Sequence, residues 1–175
     1  KCYFQGKKEL FKGLAIDRLE TEWNEYPVFH LSFGGQDFTD ANALTNVLED
    51  FIGNAEKIYG KNLLAKTTGS RFASVLQAAH EKTGKRAVVL IDEYDKPLLD
   101  VMDLEMYTLL NDCKITLEEY NRNILKGFYS VFKEADQDLQ FVLLTGVTKF
   151  SQISVFSGFN QPEDISLSAH YDTLL

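Results

Sequence analysis

The chain has 175 residues, of which 45% are apolar and 25% are charged. These proportions are typical of a folded globular protein and exclude a disordered or collagen-like chain. A chain of this length usually builds one domain, so we expect a single domain over residues 1–175. The longest aliphatic run, Ala87–Ile91, is far shorter than the roughly 20 apolar residues of a membrane span, so no membrane partner is expected.

The net charge and the cysteine content indicate which binding partners and which cellular compartment to expect. The net charge of −8 repels phosphate backbones, so direct nucleic-acid binding by this chain is not expected. Cys2 and Cys113 are too few for a disulfide framework or a zinc site, and we interpret them as reduced thiols of a cytoplasmic protein. His30, His80 and His170 lack the spacing of metal ligands.

The first predicted elements are a strand and a helix. The type of side chain alternates along Tyr26–Phe33, as is typical of a strand. Pro27 lies near the start of this segment, where the strand needs no backbone N–H donor. Thr39 or Asp40 can cap a helix that ends near Gly60. The apolar side chains of this helix recur with the helical period at Leu44, Val47, Leu48, Phe51 and Ile52.

A second helix and a buried strand follow. Ser70 is the expected cap of the helix and Gly84 its expected end. The aliphatic run Ala87–Ile91 is typical of a strand buried on both faces of a parallel sheet. Residues 98–113 are apolar enough for a short helix, although their pattern is weak.

The last elements complete an alternating order. The T-x-x-E pattern at Thr116–Glu119 predicts a capping box that opens a helix, and Phe141–Thr145 predicts a third buried strand. Strands that alternate with helices form a parallel sheet with right-handed crossovers, so the sequence predicts an α/β fold. The inward side chains expected in the helix are Leu117, Tyr120, Ile124, Phe128, Val131 and Phe132.

Two carboxylates directly follow the central strand, and they are the strongest chemical signal. Asp92 and Glu93 after four aliphatic residues have the form of a Walker B strand. Asp92 at the carboxyl end of a buried strand can hold Mg²⁺ or a magnesium-bound water, and Glu93 can polarise an attacking water. The alternative is that both residues simply open a loop. Phosphotransferase (D-x-D) and nuclease ((D/E)-x-K) patterns both require an acid at position 94, which is Tyr94.

Two further features concern a nucleotide site: the hydroxyl of Thr145 and the P-loop motif. Thr145 ends the third strand, where its hydroxyl can contact a phosphate or the attacking water, although a threonine at a strand end is more often an ordinary turn residue. The P-loop motif G-x-x-x-x-G-K-[ST] does not occur in the 175 residues. Gly6-Lys7-Lys8 matches it only superficially, because no glycine lies five positions earlier and no Ser or Thr follows Lys7.

Longer motifs resemble the bacterial AAA-ATPase-like family. The resemblance runs from about residue 3 to the C-terminus and is most specific in IDEYDKPLL (Ile91–Leu99) and LTGVTKFS (Leu144–Ser151). Further matching segments are Gly6–Leu14, Val155–Asn160 and Asp164–Ser166.

The resemblance implies a three-layer P-loop NTPase fold of the additional-strand type with an ATP and Mg²⁺ site. Asp92 and Glu93 are then the Walker B pair, with Asp92 as the metal and cofactor ligand and Glu93 as a catalytic residue. Thr145 takes the catalytic sensor position, and Lys149 faces phosphate. Family members often carry a C-terminal PD-(D/E)xK-type nuclease domain.

The resemblance also implies that the P-loop and its strand lie upstream of Lys1. We therefore expect a partial domain, the core fragment of an ATPase that is inactive alone. The alternatives are a non-catalytic pseudo-ATPase that binds a partner chain and an ordinary α/β domain with structural carboxylates.

The expected sheet order makes a geometric prediction. Val28–Phe33, Ala87–Ile91 and Phe141–Thr145 should be parallel neighbours in that order, which brings Asp92 and Thr145 to one edge. The far side of Phe141–Thr145 should then be bare, filled by a non-native segment or closed by a second copy of the chain, because an unpaired edge invites self-association. A short strand at Ile165–Leu167 would lose its usual neighbour there.

Overall fold

The computed structural model describes residues 1–147 and 163–166. Short 3₁₀ turns lie at Lys8–Phe11 and Asp136–Asp138. In chain order the other elements are α1 (Ala15–Leu19), β1 (Val28–Ser32), α2 (Ala43–Tyr59), α3 (Thr68–Thr83), β2 (Ala87–Asp92), α4 (Lys96–Leu99), β3 (Tyr107–Leu110), β4 (Cys113–Thr116), α5 (Leu117–Tyr129), α6 (Val131–Glu134) and β5 (Leu139–Leu144).

A parallel sheet in the order β1-β2-β5 forms the centre of the fold. Val88 pairs with Val28 on one side and with Phe141 on the other. The predicted strand order and direction are therefore confirmed, and so is the α/β class. Because all three strands run in the same direction, their carboxyl ends meet at one edge of the sheet.

The sheet is covered by helices on one face, as far as the structure describes it. Alternate residues of β2, Ala87, Val89 and Ile91, belong to a single core cluster with side chains of α2, α3, α5 and α6. The opposite face carries Val88, which is fully buried, and Phe141, which stacks on Phe4 at 5.3 Å between ring centroids. The expected three-layer arrangement is thus present only in part among these residues.

The predicted helices are present, but two of them begin differently. Asn42 is the N-terminal flanking residue of α2, while Asp40 accepts a hydrogen bond from the Asn42 amide just before the helix. Thr67 caps α3, and Ser70 is the third helical residue in a reciprocal capping box with it. The expected caps at Thr39 or Asp40 and at Ser70 were therefore wrong by two or three residues. The Thr116 hydroxyl caps α5 as predicted, accepting from the Glu119 amide at 3.1 Å, but the return bond from the Thr116 amide to the Glu119 side chain that would complete the predicted capping box is not formed.

The expected short helix over residues 98–113 was wrong. The chain instead forms the four-residue helix α4 and an antiparallel hairpin of β3 and β4. Asn111 and Asp112 make the turn with φ values of 49° and 63°, a left-handed conformation that these residue types tolerate well. The Asn111-Asp112 pair is a turn signal, but no regular pattern in the flanking segments marks them as strands.

The far side of β5 was expected to be bare, filled by a non-native segment or closed by a second copy of the chain, and this stays a prediction. Within residues 1–147 and 163–166, β5 pairs with β2 alone. Of the expected strand at Ile165–Leu167, Ile165 and Ser166 are not in a strand, and Leu167 lies outside the described residues. No helix in the described part of the chain is long and apolar enough to cross a membrane.

Candidate functional site

The predicted meeting of Asp92 and Thr145 is present. Asp92 ends β2 and Thr145 directly follows β5, and both are exposed at the carboxyl edge of the sheet. The Thr145 hydroxyl donates a hydrogen bond to Asp92 Oδ1. The backbone supports this contact, because the Thr145 amide donates to the Ile91 carbonyl at 2.9 Å. Asp92 Oδ2 and the lone pairs of the threonine oxygen therefore remain free to accept from a ligand.

Glu93 lies beside this pair in an unusual backbone conformation. Its φ of 53° is left-handed, which non-glycine residues adopt rarely and mostly in functional or strained segments. The turn after β1 adjoins its carboxylate: a Cβ atom placed on Gly34 would lie 3.0 Å from Glu93 Oε1 and 3.3 Å from Ser32 Oγ. The Gly34 amide donates to Ser32 Oγ at 3.2 Å. Neither Ser32 nor Gly34 was predicted from the sequence to be a site residue.

The residues after Glu93 hold the segment that follows Thr145. The Tyr94 amide donates to the Thr145 carbonyl at 2.9 Å. The Val147 amide donates to Asp95 Oδ2 at 2.9 Å, and Asp95 is 1% exposed. Tyr94 and Asp95 both belong to the IDEYDKPLL motif, and no role was predicted for Asp95 from the sequence.

A lysine next to this edge keeps its charge. Lys96 Nζ lies 2.8 Å and 3.0 Å from the two carboxylate oxygens of Asp100. This hydrogen bond, with smaller contributions from the charges of Asp100, Glu93 and Asp37, raises the pKa of Lys96 above its usual value. Asp100 Oδ2 also accepts from the Phe38 amide at 3.2 Å, which ties α4 to the loop after β1.

The donor set at the edge suits magnesium. Mg²⁺ prefers oxygen ligands and is usually held by one or two carboxylates together with waters and substrate phosphates. Asp92 and Glu93 supply exposed carboxylates of this kind, and Thr145 supplies a hydroxyl. No group of three or more histidine, cysteine, aspartate or glutamate side chains that could hold a metal ion occurs in the described segments. Lys149 lies outside the described residues.

Two comparisons with known proteins bear on this chain. Residues 1–156 match the model of the AAA-ATPase-like family, described as a predicted AAA-ATPase. The chain is also 36% identical, over 176 aligned positions, to a protein of Azotobacter chroococcum mcd 1 described as an uncharacterized protein in the vnfD 5′ region. That alignment covers 98% of this chain and 31% of the relative, so the chain spans about a third of the relative's length. No solved structure matches. Neither match bears on a nuclease domain or on the P-loop, and both stay predictions.

Proposed function

Because the chain belongs to the AAA-ATPase-like family, we propose that it is the core of a magnesium-dependent ATPase with a P-loop NTPase fold. The observation that carries the proposal is the hydrogen bond from Thr145 to Asp92, with Glu93 as the next residue. Ligands of open α/β sheets bind beyond the carboxyl ends of the strands, which is where these three side chains lie.

Each side chain has a distinct proposed task. Asp92 holds the metal ion, directly or through a bound water, and the Thr145 hydrogen bond fixes the orientation of its carboxylate. Glu93 accepts a proton from the attacking water. Thr145, whose hydroxyl proton is donated to Asp92, accepts a hydrogen bond from the attacking water, and Lys149 contacts the terminal phosphate. When bound, Mg²⁺ neutralises the charge that develops on the phosphate oxygens.

Phosphate binding needs groups that this sequence does not contain. Nucleotide affinity in P-loop folds comes largely from backbone amides and a lysine of the P-loop, and the motif is absent from the 175 residues. We therefore propose that residues outside this sequence supply the cradle, and that the 175-residue chain is inactive alone. We further propose that the protein acts in the cytoplasm, with nucleotide as its small-molecule partner and no nucleic-acid partner for this chain.

A non-catalytic role is the second candidate, favoured by the missing motif and by the side of β5 that has no partner strand within residues 1–147 and 163–166. In that case the fold would serve as a pseudo-ATPase module that binds another protein chain.

One experiment separates the two candidates. The 175-residue chain and the same chain with its natural flanking segments are assayed for magnesium-dependent ATP hydrolysis, each beside its Glu93→Gln variant. We expect no Glu93-dependent turnover from the short chain and clear turnover from the long one. Absence of both ATP binding and hydrolysis in the long chain would favour the pseudo-ATPase.

A further inference from the structure

The backbone after Thr145 packs closely on two side chains from the loop after β2. A Cβ atom placed on Gly146 would lie 2.6 Å from Tyr94 Cε1 and 2.7 Å from Asp95 Oδ1. Such distances do not occur in folded proteins, so only glycine fits here without movement of Tyr94 or Asp95. The other carboxylate oxygen, Asp95 Oδ2, accepts the Val147 amide. Both oxygens of Asp95 therefore face the two residues that follow Thr145.

Asp95 makes these contacts from a buried position. It is 1% exposed, whereas Asp92 and Glu93 on the same loop are exposed. The fully buried Tyr129 lies close by, and burial, followed by the charges of Tyr94 and Asp95, raises the pKa of its phenol. Burying a carboxylate costs free energy unless hydrogen bonds compensate it. The Val147 amide supplies one charge-assisted hydrogen bond of this kind, which ties the buried carboxylate to the segment after Thr145.

We propose that Asp95 is a positioning residue, which fixes the backbone of Gly146 and Val147 and so keeps the Thr145 hydroxyl on Asp92. Asp95 itself does not touch the nucleotide. The inference rests on the proposed ATPase function for its catalytic consequence, but the anchoring itself is a property of the chain without nucleotide. Tyr94 assists through its ring against Gly146 and its amide on the Thr145 carbonyl.

Asp95→Asn is the sharpest variant. It keeps the size of the side chain and one acceptor oxygen for the Val147 amide, but it replaces the charge-assisted hydrogen bond of a carboxylate with the weaker bond of a neutral amide and puts an NH₂ group against Gly146. The matched control is Asp138→Asn. Asp138 is also a buried carboxylate, 7% exposed, and it lies just before β5, at the opposite end of that strand, where it contacts His80 Nδ1 at 2.8 Å.

The first measurement is a double-mutant cycle on hydrolysis by the chain with its natural flanking segments. We expect Asp95→Asn to lower kcat about tenfold and to change KM for ATP by less than about twofold, because a misplaced reacting group costs rate more than binding. In a Thr145→Val background, Asp95→Asn should lower kcat no further. If Asp95→Asn lowers kcat by the same factor in the Thr145→Val background as in the parent, the proposal is overturned, because Asp95 would then act independently of Thr145. Asp138→Asn should leave kcat unchanged.

The second measurement needs no activity. Residue-resolved hydrogen exchange of the nucleotide-free 175-residue chain reports on the Val147 amide directly. We expect Asp95→Asn to speed its exchange about tenfold, as the replacement of a charge-assisted hydrogen bond by a neutral one implies, while Asp138→Asn does not. Unchanged exchange in Asp95→Asn would refute the anchor. If the longer chain hydrolyses no ATP, the ATPase proposal fails, and exchange alone decides whether Asp95 anchors this segment.

Discussion

The Glu93 carboxylate lies against Gly34, at a place where any larger residue would put its Cβ atom close to the carboxylate. A Cβ atom on Gly34 would lie 3.0 Å from Glu93 Oε1, closer than almost all real contacts of this type. Gly34 does not have a positive φ, so alanine could adopt its backbone conformation. The glycine is therefore needed for room and not for backbone freedom.

Gly34→Ala should disturb Glu93 specifically. In the flanked chain we expect hydrolysis to fall about tenfold, since small displacements of a reacting group are costly in rate. In the 175-residue chain we expect Tm to fall by about 2–4 °C, which is about 1 kcal/mol for a domain of this size.

A Glu93→Ala background provides the control, because the side chain that Gly34→Ala disturbs is then gone. The Tm penalty should shrink to near zero in that background. Gly53→Ala is the matched glycine control, since Gly53 lies within α2 with nothing within 4 Å of an added Cβ. A full penalty in the Glu93→Ala background would contradict the relationship.

Asp92 and Glu93 should separate metal use from water activation. In the flanked chain, Asp92→Ala should weaken magnesium-nucleotide binding, while Glu93→Gln should bind ATP normally and hydrolyse it slowly, by a factor of about 100–10,000 for a lost general base. Titration calorimetry and steady-state kinetics measure the two effects. Equal loss of binding in both variants would argue against this division of roles.

Arg71 and Glu56 should make the stability of the chain depend on acid pH. Two hydrogen bonds of 2.8 Å and 2.9 Å join them between α3 and α2, and Arg71 also pairs with Glu49. The bond to Arg71 holds the pKa of Glu56 below its usual 4.5. A carboxyl with a lowered folded-state pKa stabilises the fold above pH 4.5, and the contribution is lost as pH falls through the folded value.

Glu56→Gln tests this sign. At pH 7 we expect it to lower the free energy of unfolding by about 2 kcal/mol. This value is within the range for the loss of a hydrogen bond to a charged group and below the cost of breaking a fully buried ion pair. Below pH 4.5 the difference from the parent should shrink steadily, as measured by urea unfolding. A difference that is constant with pH would show that the lost contact is not electrostatic.

The free side of β5 should control self-association of the 175-residue chain. Thr145 points its amide and carbonyl toward the β2 side, so Val142 and Leu144 direct theirs to the free side by alternation. An unpaired row of this kind favours pairing with a second copy. We expect concentration-dependent dimers by analytical ultracentrifugation, reduced by Val142→Pro, which removes an outward N–H without breaking the β2 ladder. A strictly monomeric parent would contradict this.

The parts of the fold predicted from sequence are those with strong local signals. Ala87–Ile91 is a continuous aliphatic run, and four of its five residues are indeed buried. Such runs located β2 and β5, an alternating segment located β1, and the direction of a parallel sheet then brought Asp92 and Thr145 together. The hairpin was missed because its strands are only four residues long and mostly exposed, so neither a periodic pattern nor a buried run marks them.

The surroundings of the site could not be predicted in the same way. Gly34 lies beside Glu93, and Gly146 beside Asp95, only because strands far apart in sequence end at the same edge. Nothing local distinguishes Asp95 from Asp92, although one is buried and the other exposed. The difference arises from the left-handed backbone at Glu93, which redirects the chain, and no residue-type preference predicts that conformation for a glutamate.

The sheet register has a consequence for how the chain folds. Every ladder pair of β1, β2 and β5 joins residues more than 50 positions apart, while α2 and α3 are adjacent in sequence and pack on each other. Closing such long loops costs entropy before any strand pairing compensates, so folding of this domain should be slow relative to its helical part. The helical pair can form early, and the edge that carries Asp92 and Thr145 is complete only when β5, the last of the three described sheet strands in sequence, docks.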